Sequence, residues 1–227
     1  MSFYWVGLDL GQAADFTALA VLEAVSAEGA ERELHLRHLE RYPLRTAYTT
    51  VAGNVAALLG QLRNLSMSGE EPELLVDNTG VGRAVTDVLR ERGLRLKTVT
   101  LTGGSQVTRG EAGEWRVPKA DVVDALVVPF QSGALKVAAG LKLWCTLRAE
   151  LLNFRRKVNP ATAHASYEHW RESDHDDLVL AAALAAWGAR RFLTTVLPDV
   201  RSLAAMSRPS YWSGAGGSSL GRRSWRV

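Results

Sequence analysis

Cysteine is nearly absent from this 227-residue chain, which has only Cys145. A single thiol excludes an internal disulfide and any multi-cysteine zinc site. It lies in the apolar run Leu143-Trp144-Cys145, where a free cysteine is expected as buried filler. Long hydrophobic runs are also missing: none reaches the roughly 18 residues that a membrane span requires. The opening Met1-Ser2-Phe3-Tyr4-Trp5 carries neither a basic lead nor a cleavage signature, so it does not read as a signal peptide. A soluble, cytoplasmic, reducing setting with no membrane partner is expected. Acid is missing from the far end. After Asp199 there is no Asp or Glu, but there are five arginines, Arg201, Arg208, Arg222, Arg223 and Arg226. Subtracting those five from the net charge of +3 leaves −2 for residues 1–199. The body is therefore near neutral and the tail basic, a balance that permits a nucleic-acid partner without establishing one.

The rest of the composition is ordinary, with 47% of residues hydrophobic and 22% charged, which excludes wholesale disorder. A chain of this length buries roughly 70% of its unfolded surface and needs no staple. Residues 3–10 read as an aromatic and aliphatic strand, 16–23 as a second, and 33–41 as a third. Val51, Val55, Leu58, Leu59, Leu62 and Leu65 fall at helical spacing within 48–65. A short strand at 73–77 ends in Asp77, a helix at 80–92 is closed by Gly93, and a strand follows at 95–101. The glycine-rich stretch 102–116 is expected to be a flexible loop or a loose hairpin. Helices are expected at 118–130 with Pro118 near the first turn, and at 141–157, ending in Arg155-Arg156-Lys157. A last helix is expected at 173–191, capped by Ser173 or Asp174. Residues 158–174 read as irregular, with one short strand at most. Three consecutive strands followed by strand–helix units predict an α/β fold, in which three antiparallel meander strands and then parallel strands form a mixed sheet flanked by helices. The expected division is one domain at 1–197 and a basic Ser/Gly/Arg-rich tail at 198–227, expected to be disordered.

Three acidic positions stand out. Asp9 lies inside the first strand between Leu8 and Leu10, Asp77 ends the fourth strand, and Asp176-Asp177 open the last helix. Charges in apolar strands are costly unless they are paired or bound to a metal. Asp176 shares a helical stripe with Val179, Leu180, Ala183, Leu184 and Trp187, which is expected to face the sheet. Asp177 shares a partly overlapping stripe with Leu180, Ala181 and Leu184. Singly, each acid has a plain explanation: a hydrogen-bonded strand residue, turn chemistry at Asp77-Asn78, or an acid favoured by a helix dipole. Together, clustered carboxylates stay ionised only with cations between them. Oxygen-only ligands select Mg²⁺ or Mn²⁺, and two such ions could activate a water and stabilise the leaving oxygen of a phosphodiester. His164, His169 and His175 are not needed for that chemistry, and the first two read as surface or loop residues.

The segments that carry these acids match a family in their order. They are Val6-Gly7-Leu8-Asp9-Leu10-Gly11 with Asp15-Phe16-Thr17-Ala18-Leu19-Ala20-Val21, then Leu75-Val76-Asp77-Asn78-Thr79-Gly80-Val81-Gly82 and Val117-Pro118-Lys119-Ala120-Asp121. Leu147-Arg148-Ala149-Glu150-Leu151-Leu152-Asn153-Phe154 and His175-Asp176-Asp177-Leu178-Val179-Leu180-Ala181 complete the set. Over roughly residues 3–192 the chain resembles the nuclease domain of phage terminase large subunits, an RNase H-like fold of the retroviral-integrase type. The resemblance implies a metal-dependent endonuclease acting on double-stranded DNA during viral genome packaging. It implies Asp9 as the ligand bridging two Mg²⁺ or Mn²⁺ ions, Asp77 as the second ligand, and Asp176 or Asp177 as the third, with Asp176 favoured by the stripe. Asp15 matches an acidic position of the family but is not expected to be a ligand. An ATPase motor, a small terminase subunit and a portal are the implied partners. The chain has no G-x-x-x-x-G-K-[ST] loop, so it is read as an excised or separately encoded nuclease, and motor activity is not expected of it. Arg109, Arg116 and Lys119, in or just after the glycine-rich stretch, and Arg155, Arg156 and Lys157 are expected to contact phosphates without base specificity. Alternatives are a Holliday-junction resolvase of the same fold, an ATP-binding domain of the actin, Hsp70 and sugar-kinase superfamily, and a packaging scaffold with a dead site. The ATP-binding reading rests on Gly7-Leu8-Asp9-Leu10-Gly11 with Thr17.

Overall fold

Strand β1 (Ser2–Asp9) is buried on both faces, with Val6 and Leu8 on one side and Trp5 and Gly7 on the other. That double burial places it in the middle of a sheet covered on both faces. The computed structural model describes residues 2–11, 15–25, 33–66, 69–80, 82–110, 114–158, 165–168 and 175–196. Met1–Leu193 gather into one compact unit, the one described below, and Thr194–Val227 form a second. After β1 come β2 (Ala18–Val25), β3 (Glu33–Arg41), α1 (Tyr48–Leu65), β4 (Glu73–Asp77), α2 (Gly82–Glu91) and β5 (Leu96–Thr102). Then follow β6 (Thr108–Arg109), β7 (Trp115–Pro118), α3 (Lys119–Ser132), β8 (Leu135–Val137), α4 (Trp144–Asn153), β9 (Arg155–Val158), β10 (Ala165–Glu168) and α5 (Asp177–Val196).

Eight strands form one mixed sheet in the order β6-β7-β5-β4-β1-β2-β3-β8, and β9 and β10 pair as a separate antiparallel hairpin. β1, β2 and β3 make the expected antiparallel meander, whereas β4 pairs parallel to both β1 and β5, and β5 parallel to β7. One face of the sheet meets α1 and α2: Val6, Leu8, Leu19, Val21, Leu74 and Val76 share a core with Val51, Ala52, Val55 and Leu62, and with Val85 and Leu89. α2 stops at a Schellman motif. Gly93, at φ +76, donates its N–H to the Arg90 carbonyl at 2.8 Å, and the Leu94 N–H reaches the Leu89 carbonyl at 3.3 Å.

The opposite face is closed by α5. A helix apolar all round its circumference is a buried helix, and every residue from Asp177 to Ala189 is buried. Two glycines let it come close. A Cβ on Gly7 would lie 1.9 Å from the Ala181 carbonyl oxygen, and one on Gly188 would lie 2.6 Å from Leu75 Cδ1.

The structure departs from the sequence expectations in several places. The helix expected at 141–157 is shorter, Trp144–Asn153, and Leu152 within it is 69% exposed. Phe154 then turns extended, and Arg155, Arg156 and Lys157 lie on β9, paired with β10, rather than at a helix end. β8 has three residues, too few to show a period, and gains its order by pairing with β3. Cys145 is exposed rather than buried, since the second residue of α4 faces outward. The glycine-rich stretch contains a hairpin, β6 against β7. The tail beyond 196, the proposed caps Ser173 and Asp174, and His164 and His169 lie outside the described residues.

The contact at Gly7 sets a test. Gly7→Ala is expected to destabilise the protein by about 3 kcal/mol or more, because backbone atoms of both elements must separate. Gly60→Ala, in α1 with open space around it, is expected to stabilise by roughly 0.5–1 kcal/mol. Urea unfolding of both variants checks this, and a Gly7→Ala effect no larger than that of Gly60→Ala would contradict the packing described.

Candidate active site

β1 and β4 run side by side with Gly7 opposite Leu75 and Leu8 opposite Val76. The next alternate positions, Asp9 and Asp77, therefore end neighbouring parallel strands on the face that carries α5. Asp9 is 9% exposed and Asp77 is 4% exposed. The Asp77 Oδ1 accepts the Thr79 N–H at 2.7 Å, an Asx turn that fixes its carboxylate at the strand end. The start of α5 is held above them. The Leu180 N–H donates to the Asp176 carbonyl at 2.9 Å, which makes Asp176 the N-cap and Asp177 the first helical residue.

The four acids form one electrostatic group. Burial raises Asp9 well above the usual carboxylate range, and the charges of Asp77, Asp177 and Asp176 raise it further, while Lys119 opposes them. Asp77 is raised by burial and by Asp176, against hydrogen bonds from Thr79 and the Lys119 charge. Lys119 is the first residue of α3, and its Nζ lies 2.9 Å from Asp176 Oδ2. It is thus an ion-paired member of the acidic group rather than a solvated helix-start residue.

The two acids of α5 face different partners. Asp177 Oδ2 is 3.4 Å from an Arg41 nitrogen and 3.9 Å from His175 Nδ1, and burial pushes the group up to about 6. The stripe expected to distinguish the two does not, since Asp176 precedes the helix and Asp177 is the more buried, with side chains 14% and 7% exposed.

Glu150 was given no role by the sequence. It is buried, its Oε1 accepts from Arg41, and its Oε2 accepts the N–H groups of Leu178 at 3.1 Å and Val179 at 3.2 Å. A carboxylate from α4 thereby caps α5, where the helix dipole favours negative charge. Burial outweighs the Arg41 charge and raises Glu150 to about 7. The signal was a lone acid between Leu147 and Leu151, legible only once Arg41 is known to lie opposite. Arg41 also stacks over Phe16 at 5.0 Å, and Phe16 meets His175 edge-on at 4.8 Å.

The other expected contacts are not gathered with the acids. Arg109 stacks over Trp115 at 4.8 Å, and Arg116 pairs with Glu114 at 3.5 Å. The charge of Asp15 reaches Asp177, and Asp15 lines a cavity of about 270 Å³ with Gly11, Thr17, Arg45 and Tyr48. Among the described residues, no three Asp, Glu, His or Cys side chains converge as a ready cage for one ion. The donor chemistry nonetheless fits a hard divalent cation: oxygen-only ligands from three elements, mutually repelling, with Lys119 as the cation among them.

Raised carboxylates hold more protons in the folded than in the unfolded chain, so stability falls as pH rises between the two values. For Glu150 that window runs from 4.5 to about 7, and for Asp177 from 3.8 to about 6. In EDTA, unfolding free energy is expected to fall between pH 5 and pH 7.5. In Glu150→Gln the slope is expected to be shallower. Urea titrations at both pH values check this, and an unchanged slope in the variant would remove Glu150 from the account.

No protein-family model and no curated protein matches the chain. Solved structures do. The large terminase nuclease of thermophilic phage G20c is 20% identical with a TM-score of 0.57, and the match covers 81% of each chain. The nuclease domain of the large terminase subunit of bacterial virus Sf6, solved with manganese and beta-thujaplicinol, is 14% identical with a TM-score of 0.54, over 81% of this chain and 87% of that one. The human cytomegalovirus terminase nuclease domain, soaked with Mn, is 15% identical with a TM-score of 0.53, over 85% of this chain and 86% of that one. The mixed sheet with its flanking helices is therefore the RNase H-like fold of large terminase nuclease domains.

Proposed function

We propose that the chain is a metal-dependent endonuclease that hydrolyses phosphodiester bonds of double-stranded DNA, as the nuclease part of a viral DNA-packaging terminase. The observation that carries this reading is that Asp9 and Asp77 end neighbouring strands beside the start of α5, where the charges of Asp77, Asp176 and Asp177 all act on Asp9, and Lys119 pairs with Asp176 and offsets Asp9 and Asp77. The shared fold with terminase nucleases, two of them solved with manganese, supports it. Asp9 and Asp77 offer oxygen ligands from the sheet, and Asp176 offers one from above. Asp177, tied to Arg41, is the weaker candidate for direct ligation. Bound between these carboxylates, two Mg²⁺ or Mn²⁺ ions would lower the pKa of an attacking water and stabilise the departing 3′ oxygen.

The chain's own residues supply the rest. Burial of Asp9 and Asp77 keeps bulk water off the ligand side. The Arg41–Glu150 pair holds the start of α5 in place. Arg109, Arg116 and Lys119, with Arg155, Arg156 and Lys157 on β9, are the proposed phosphate contacts. A motor ATPase, a small terminase subunit and a portal are the proposed partners, and the host-cell cytoplasm the proposed location. Among the described residues no helix is long and apolar enough to cross a membrane.

Supercoiled plasmid incubated with Mn²⁺ or Mg²⁺ at low salt is expected to be nicked and linearised. EDTA is expected to abolish cleavage, and Asp9→Asn and Asp77→Asn to slow it by more than the roughly 10–100-fold that loss of a group behind a metal ligand costs. Asp176→Asn is expected to be more damaging than Asp177→Asn. Preference for a four-way junction over linear duplex would favour a resolvase, and cleavage undiminished in Asp9→Asn would remove the site.

A further inference from the structure

We infer that the Lys119 ammonium is the resident counter-ion of the acidic group, holding the place of a divalent cation and yielding it when one enters. This rests on the reading of the site as a cation site. It is a separate claim from the reaction performed there.

Lys119 opens α3 directly after Pro118, whose backbone, at φ −54 and ψ 130, forms the N-cap. A cation in the first turn of its own helix is disfavoured by the dipole, which places positive potential there. Asp121 in the same turn offsets part of that potential, and Lys119 Nζ reaches out of the helix to Asp176 Oδ2 at 2.9 Å. The same charge lowers the proton affinity of Asp9 and of Asp77. One ammonium is thus shared electrostatically by acids from β1, β4 and the start of α5.

The charge balance points the same way. Arg41 serves Glu150 and Asp177, so among the described ion pairs Lys119 is the cation facing Asp176, with Asp9 and Asp77 beside it. A divalent ion and an ammonium compete for the same oxygens, and they repel each other strongly within a few ångströms in a partly buried site. Lysine suits such an exchange because its charge is a compact point on a flexible four-carbon stem. The ring of Phe154, 5.3 Å from Nζ, offers the displaced ammonium an aromatic face next to the site.

The test is cation binding, read without DNA. Mn²⁺ titrated calorimetrically into the full chain at pH 7.5 is expected to bind about tenfold or more tightly to Lys119→Met than to the natural protein, since the competing charge is gone. In EDTA the variant is expected to melt at a lower temperature, and Asp9→Asn is expected to lose Mn²⁺ binding. A measurement on the unsubstituted protein stands beside it: amine labelling read by mass spectrometry is expected to modify Lys119 slowly in EDTA and severalfold faster in Mg²⁺. Mn²⁺ affinity unchanged or weakened in a folded Lys119→Met, or Lys119 labelling that ignores Mg²⁺, overturns the inference. If the natural protein binds Mn²⁺ with these Lys119 effects but leaves DNA intact, the nuclease reading falls and the counter-ion role stands. If it binds no Mn²⁺, both fall.

Discussion

The backbone of α5 rests against β1 because Gly7 has no side chain, and much of the structure depends on that approach. With the Ala181 carbonyl where a Cβ would stand, the helix axis is drawn in far closer than a leucine-lined helix could come. The alanines along α5 maintain the closeness over several turns, and Gly188 repeats it against Leu75 and Trp5. Two residues beyond Gly7 on the same face is Asp9, and the first turn of α5 carries Asp177 with Asp176 just before it. Bringing acids from helix and sheet together is therefore a by-product of small-residue packing in the core.

Such packing pushes like charges together, and the fold answers with two cations of different kinds. Arg41 is a rigid fork, suited to pairing with Glu150 while lying near Asp177 and stacking on Phe16. Glu150 in turn accepts two N–H groups of α5 that no intrahelical carbonyl can satisfy. That assembly is structural in character: buried and held by several contacts at once. Lys119 is held by fewer contacts and is more exposed, at 28% of its side chain against 17% for Arg41. The acidic group thus has a fixed side and an adjustable side.

The sequence made most of the sheet legible. The aliphatic strands β1 and β4 and the meander announce themselves by composition and alternation, and the acids that interrupt them are visible because charge in such runs is rare. The Gly93 stop of α2 followed from residue chemistry alone. What stayed hidden depends on partners distant in the chain. β8 is a strand only because β3 lies alongside it. α4 stops at Asn153 and the chain goes on as β9, paired with a strand that follows it, which no helical periodicity can report. Glu150 looked like one acid among many until Arg41, 109 residues away, was placed against it. The choice between Asp176 and Asp177 was argued from a stripe, and a helix buried on all sides has none. Their difference lies in what faces them across the gap, Lys119 or Arg41.

The capping of α5 by Glu150 also restrains motion. The helix that fills the core also presents the acids, and its first turn is tied through Glu150 to α4 and through Arg41 to β3. Amide protons at Leu178 and Val179 should consequently exchange with solvent only in the rare openings that release the core, not by fraying of a helix end. The acids at this terminus then have no loose state of their own. Substitutions deep in the alanine-rich helix, far from any phosphate, will surface as lost function through the fraction of molecules that remain folded.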